Sequence, residues 1–262
     1  MEWVANVDGR RCRVWESGSG PTVGFLAGPL GLSRWTPFMA ALARRRHVVA
    51  ISIPGYPGAK ASRLPCSIAE WVDAVVAMLD AVDLIDIDLV GVGVGGTLAA
   101  EVAAADPASV PCLVLVAPVA LHEAHLQGVT RSGLSVSRLP EFVASDPDRV
   151  RECFEPPPGS DRRRWANEFG PPLFTSHRLL DSARAAGLTS CPARTACPTL
   201  IVWGLDDRVW ATRHRTRWVQ RLPGPPGVVL IEDADRLVDL DASERMAEVA
   251  DRFLAGALQS RE

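Results

Sequence analysis

The sequence predicts an α/β protein built on a mostly parallel, eight-stranded sheet flanked by helices. Three observations carry this expectation. Short continuous apolar runs recur at Val23–Ala27, Val48–Ile51, Ile87–Val92, Cys112–Val116, Thr199–Gly204 and Val228–Ile231, the pattern of strands buried on both faces. Stretches with helical spacing separate most of them, which implies parallel strands joined by crossover helices. The chain also opens on a hairpin pattern, with Val4–Val7 and Cys12–Trp15 flanking an Asp8-Gly9 turn.

In order, the hairpin ends at Gly18-Ser19-Gly20, and a β-α-β unit follows, its helix spanning Trp35 to Ala43. A helix at about Ile68–Ala81 precedes the strand at Ile87, and Val94–Ala105 is the next helix. After Pro118 the periodic order lapses for roughly eighty residues containing Pro156-Pro157-Pro158-Gly159, Pro171-Pro172 and the basic run Arg162-Arg163-Arg164. A structureless loop of that length does not fit a compact domain, so a folded insert of short helices is expected. Strand and helix order resumes at Thr199, with helices near Thr212–Arg221 and Ser243–Ala257. The expected organisation is therefore a core in two parts, residues 1–117 and 197–262, interrupted by a helical lid over residues 118–196.

The chain has 262 residues, 47% of them hydrophobic and 23% charged, with a formal net charge of −3. Acidic and basic residues are mixed along it, so neither nucleic acid nor an anionic membrane is favoured as a partner. No apolar stretch at the N-terminus suits a signal peptide or membrane helix, so a cytoplasmic location is expected. The six cysteines form no C-x-x-C pair and read as buried thiols rather than a metal site or disulfide framework. The run Arg162–Arg164 reads as a solvated face of the insert.

The chemistry concentrates at the strand-to-helix junction Leu89-Val90-Gly91-Val92-Gly93-Val94-Gly95-Gly96-Thr97. This block resembles the G-x-S-x-G nucleophile elbow of the α/β-hydrolase superfamily, with Gly93 in the place of the serine. A rival reading as a G-x-G-x-x-G dinucleotide loop is weaker, because Thr97 fills the third glycine position and the motif follows the fifth strand rather than the first. No cofactor or metal is expected. Trp203-Gly204-Leu205-Asp206-Asp207 resembles the segment that carries the acid of the triad, so Asp207 keeps that position. Glu232-Asp233-Ala234-Asp235-Arg236 resembles the segment that ends in the histidine, so Arg236 stands where the base belongs. In the oxyanion loop the family often has His-Gly; this chain reads Ala27-Gly28-Pro29-Leu30-Gly31, and Pro29 has no N–H to donate. The resemblance runs from Val23 to about Phe253.

What the resemblance implies is a hydrolase fold with a degenerate triad. Glycine offers no oxygen for an acyl intermediate, and a guanidinium accepts no proton, so serine hydrolysis is not expected. Asp207 and Arg236 should meet as an ion pair, which either serves a reaction or only satisfies a buried carboxylate. The leading expectation is a non-hydrolytic enzyme of a specialised biosynthetic pathway, a cyclase, lyase or isomerase that folds a largely apolar small molecule. Loss of the serine side chain is expected to enlarge its cavity. Asp207, Arg236 and His122 are the candidate catalytic groups. Gly28, Pro29, Trp35, Gly93, Val94, Trp165, His177 and Trp210 are the candidate substrate contacts, with Phe174 a further aromatic. The alternatives are a non-catalytic protein binding a small molecule or a protein partner, and a hydrolase with relocated residues. For the latter, Ser33 and Thr97 are the hydroxyls to consider, with Glu123 and His122, His125, His177 or His214 as acid-base groups. Thr97 is expected to bond backwards into its own helix.

Overall fold

The computed structural model describes residues 1–59, 61, 63–119, 140–156, 159–169, 172–185, 195–209 and 212–259. The hairpin forms as its sequence requires: β1 (Glu2–Val7) pairs antiparallel with β2 (Arg10–Ser17), and Asp8 and Gly9 both adopt positive φ, 49° and 76°. Strands β3 (Thr22–Leu26), β4 (His47–Ile51), β5 (Asp88–Val92), β6 (Leu113–Val116), β7 (Thr199–Gly204) and β8 (Gly227–Ile231) complete one sheet in the order β1-β2-β4-β3-β5-β6-β7-β8. From β4 to β8 every pairing is parallel, and β2 is antiparallel to β4. The continuous apolar runs are explained by position, since β5, β6 and β7 are buried along their whole length.

Helix α1 (Pro37–Leu42) starts two residues later than its periodicity suggests. Thr36 caps it, its Oγ1 accepting from Met39 N–H at 3.3 Å, and Pro37 suits the first turn. Ser67 caps α2 (Ile68–Asp80) in the same way. Helix α3 (Val94–Ala105) is buried except at its last residue, which its alanines and glycines permit by keeping its girth small. Among the described residues, four helices lie between β6 and β7: α4 (Pro140–Val143), α5 (Pro147–Phe154), α6 (Arg162–Phe169) and α7 (Pro172–Ala185). The arginines that open α6 are exposed, and Asp161 accepts the amides of Arg163 and Arg164. Helices α8 (Thr212–Arg221) and α10 (Ser243–Gln259) match expectation, but a short α9 (Val238–Asp241) does not. At four residues it is below the length at which helical periodicity can be read.

Two apolar clusters organise the packing. The larger runs through the sheet and its flanking helices. The smaller joins Val143, Ala144, Val150 and Cys153 of the α4–α5 region to Leu237 and Leu240 beside and within α9. Asp241 ties this second cluster together, its carboxylate accepting the amides of Ser145, Asp146 and Asp235 at 2.8 to 3.1 Å. Arg46, 2% exposed, anchors α10 to the sheet by donating to Asp251 at 2.8 Å and facing Asp88 at 3.9 Å. No helix among the described residues is long and apolar enough to cross a membrane.

The sheet and α3 meet without side chains between them. A β-carbon on Gly95 would overlap the carbonyl oxygens of Leu26 and Ala27, and one on Gly91 would lie 2.5 Å from the Gly95 carbonyl oxygen. Replacing Gly95 with alanine should therefore lift α3 off β3 and lower stability by about 2–3 kcal/mol. Thermal unfolding should show this as a fall in Tm of roughly 5–10 °C.

Candidate active site

The elbow predicted between β5 and α3 is present, and its backbone explains why glycine tolerates the place. Gly93 has φ 53° and ψ −115°, a conformation outside the wells open to L side chains. Its N–H donates to Val116 O at 2.8 Å and its carbonyl accepts from Thr97 N–H at 3.1 Å, so the turn is held from both sides. Val94 opens α3 beside it and is buried.

Loss of the serine side chain suggests room above Gly93, and the Pro29 ring borders that room. A β-carbon built on Gly93 would lie 3.1 Å from Cδ of Pro29 and 4.0 Å from Cα of Gly28. The proline ring thus stands close against position 93. In proline Cδ is bonded to the backbone nitrogen where other residues carry their amide hydrogen. The described atom nearest to a β-carbon built at position 93 is thus a methylene, where other residues offer an N–H.

This loop is fixed from outside. The Tyr56 hydroxyl lies 2.8 Å from Gly28 O and 2.9 Å from Ser176 Oγ on α7, and Ser176 Oγ lies 3.0 Å from Pro29 O. Two hydroxyl protons serve three contacts, so Tyr56 and Ser176 share them across the two carbonyls. Burial pushes the Tyr56 phenol up, so it stays neutral. Thr175 adds a bond to Gly55 O at 3.1 Å.

Asp207 and Arg236 come together. Arg236 Nη1 is 3.5 Å from Asp207 Oδ2, with side-chain exposures of 8% and 2%. The same oxygen accepts from Trp203 Nε1 at 2.8 Å, and Oδ1 accepts from Val209 N–H at 2.9 Å. Gly204 makes the approach possible, since a β-carbon there would overlap the carbonyl oxygens of Ala234 and Asp235. Burial pulls the Arg236 guanidinium down to about 10, against the opposing pull of Asp207 and Asp235, so it is still a cation at neutral pH. Beside it Asp235 is 1% exposed and binds Arg208 Nε at 2.5 Å.

Trp35 is half-buried and packs on the main core, Trp165 is half-buried on α6, and His177 is exposed on α7. Trp210, His122, Glu123 and His125 lie outside the described residues, as does the side chain of Phe174. Thr97 Oγ1 donates within the protein, with Gly93 O at 3.3 Å and Val119 O closer still, as its helical position suggested. Ser33 Oγ donates to Cys153 O at 2.8 Å. His214 is fully buried, edge-on to Trp203 at 6.0 Å between ring centroids. Burial and the Arg236 charge hold its imidazole down to about 3, so it stays neutral. Of the cysteines, Cys12, Cys112 and Cys153 are buried, whereas Cys66 is exposed and Cys197 half-buried.

Sequence reasoning missed Asp239. It is 8% exposed, on α9, and lines a cavity of about 20 Å³ together with Gly28, Pro29, Val92, Leu237 and Leu240. That volume admits one water-sized group. Its Oδ1 is buried with no hydrogen-bond partner among the described residues. Burial pushes the carboxyl up to about 7, a rise that Asp241 reinforces and a bond from its own backbone N–H opposes. The available signal was an acid embedded in the apolar run Leu237-Val238-Asp239-Leu240.

Two stability measurements test this description. Arg236→Met should lose roughly 3–5 kcal/mol because it strands a buried carboxylate, and adding Asp207→Asn should recover part of the loss in a double-mutant cycle. For Asp239, the folded chain holds a proton that the unfolded chain releases above about 3.8. This group therefore lowers stability as pH rises from about 4 to about 7. Asp239→Asn should flatten that decline in thermal unfolding followed against pH.

Comparison with known proteins agrees with the fold. Over 267 residues the chain is 29% identical to the dihydrolipoyllysine-residue acetyltransferase component of the acetoin cleaving system of Pseudomonas putida, covering 95% of this chain and 68% of that protein. It is 26% identical to monoacylglycerol lipase abhd6-A of Xenopus laevis, over 87% of this chain and 73% of that protein. Among solved structures, a membrane phospholipase A described as a bacterial virulence factor superposes with a TM-score of 0.79 at 24% identity, covering 98% of this chain and 86% of that one. The model of the alpha/beta hydrolase family matches residues 24–252. With the eight-stranded sheet, the glycine elbow and this match in agreement, the chain belongs to the alpha/beta hydrolase family.

Proposed function

We propose that this chain is a non-hydrolytic member of its family, an enzyme of a specialised biosynthetic pathway. In this reading it shapes a largely apolar small molecule for cyclisation, elimination or isomerisation, with no covalent intermediate on serine and no cofactor. One observation carries the reading. At Gly93 there is no side-chain oxygen, and Pro29 Cδ faces the place where that oxygen and an oxyanion would sit. The acyl chemistry in the relatives' names therefore has no acceptor here.

A reaction that needs no nucleophile is compatible with such a site. Holding a flexible substrate in a near-attack shape contributes several kcal/mol, about 7–11 in the best intramolecular cases. Arg236, held by Asp207, supplies a fixed cation for a carbonyl or carboxylate, and His122 is assigned as a further polar group. Trp35, Trp165, His177 and Trp210 are assigned to the pocket wall under a lid formed by residues 118–196. The proposed setting is the cytoplasm.

A second reading, a binding protein without turnover, draws on the small volume of the cavity and on the saturated bonding of Asp207. Mass-spectrometric comparison of metabolites from cells with the gene intact and deleted separates the possibilities. Isomerisation or cyclisation leaves an accumulated precursor of the same mass as the missing product, and elimination leaves one heavier by the departing group. A precursor whose products together contain one added water overturns the proposal, and an unchanged profile favours the binding reading. Fluorophosphonate should leave every serine and threonine of the purified chain unlabelled; a labelled hydroxyl would sink the non-hydrolytic reading.

A further inference from the structure

We infer that Asp239, in its carboxylic acid form, is the hydrogen-bond donor that receives a carbonyl oxygen of the ligand in the cavity beside Gly28 and Pro29. The inference rests on the non-hydrolytic reading for the kind of ligand, an apolar molecule bearing a ketone-type oxygen. Its own footing is geometric. The cavity has room for about one oxygen-sized group, and its wall includes the loop whose amide donor has been replaced by Pro29 Cδ. Asp239 is the ionisable side chain on that wall, more than nine-tenths buried, with Oδ1 lacking a partner among the described residues.

A buried polar atom without a partner costs stability, and the cost is recovered when a ligand atom of opposite character arrives. A carbonyl oxygen is only an acceptor, so the carboxyl must bring the proton. The surroundings supply that condition. From α5 the Cys153 thiol faces Asp239 and is pushed up by burial, so it brings no charge at neutral pH. From the head of α1 comes the neutral Thr36 hydroxyl, which lines the same cavity. From α10 the Ser243 hydroxyl donates to the Asp239 backbone carbonyl. On α9 itself the Coulombic effect of Asp241 pushes the Asp239 carboxyl further up. A carboxylic acid kept neutral by an apolar site can polarise a carbonyl in the way an oxyanion hole does. The donor has in effect passed from the backbone at position 29 to a side chain on α9.

The test uses the full chain and cyclohexanone, a ketone that does not titrate, with binding followed by NMR titration and the bound carbonyl stretch by infrared spectroscopy. With wild type at pH about 6, the bound carbonyl band should shift to lower frequency, and affinity should fall about tenfold by pH about 9 as the carboxyl ionises. Asp239→Asn keeps an N–H donor and should bind with no pH dependence. Asp239→Leu should lose about tenfold in affinity and the band shift at both pH values. Equal binding by wild type and Asp239→Leu, an unshifted carbonyl band, or wild-type affinity that ignores pH each overturns the assignment. The wild-type pH series and Asp239→Asn decide the matter even if Asp239→Leu does not fold. Ketone binding reads the donor alone and the metabolite comparison reads the reaction, so the failure of one is distinguishable from the failure of the other.

Discussion

The tight passage of α3 under β3 and β5 is the constraint from which the site follows. Because Gly91, Gly95 and Gly96 carry no side chains, helix and strands meet backbone to backbone, and the chain must reverse within one residue. That reversal forces Gly93 to a positive φ and aims position 93 at the Ala27–Gly31 loop. In a hydrolase the same geometry would present a serine to a carbonyl. Here it presents a hydrogen atom to a proline ring.

In the proposed reading, three departures from the family's pattern act in one direction, each through a different physical property. Glycine removes an oxygen, arginine replaces a proton acceptor by a lasting cation, and proline replaces an amide hydrogen by a methylene. Their effects compound in space as well. Pro29 stands close against position 93, and Arg236 pairs with Asp207. A buried pair of this kind, with Trp203 and Val209 adding bonds to Asp207, has little freedom left to move.

The strands and most helices were legible because burial on both faces writes a continuous apolar run, and amphipathic helices write a spacing. Gly93, Asp207 and Arg236 were legible for another reason: each sits at a fixed offset from a landmark such as Trp203-Gly204. What the sequence did not display depends on direction and distance. The glycine at 93 suggested an open cavity, and only coordinates reveal that the Pro29 ring borders it. Helix α9 is too short for a period, so Asp239 looked like one more charge near the C-terminus. The bonds that join Tyr56 and Ser176 span 120 residues and connect ordinary polar residues, for which local pattern carries no signal.

Those bonds have a consequence for how the protein can vary. The loop facing Gly93 is held not by its own neighbours but by a hydroxyl relay that reaches α7, an element encoded about half the chain away. The shape of the pocket is therefore written partly in a helix whose exposed face meets solvent. Changes along α7 that touch no ligand atom would be transmitted to the roof of the pocket through two oxygen atoms, giving selectivity a lever remote from the chemistry itself.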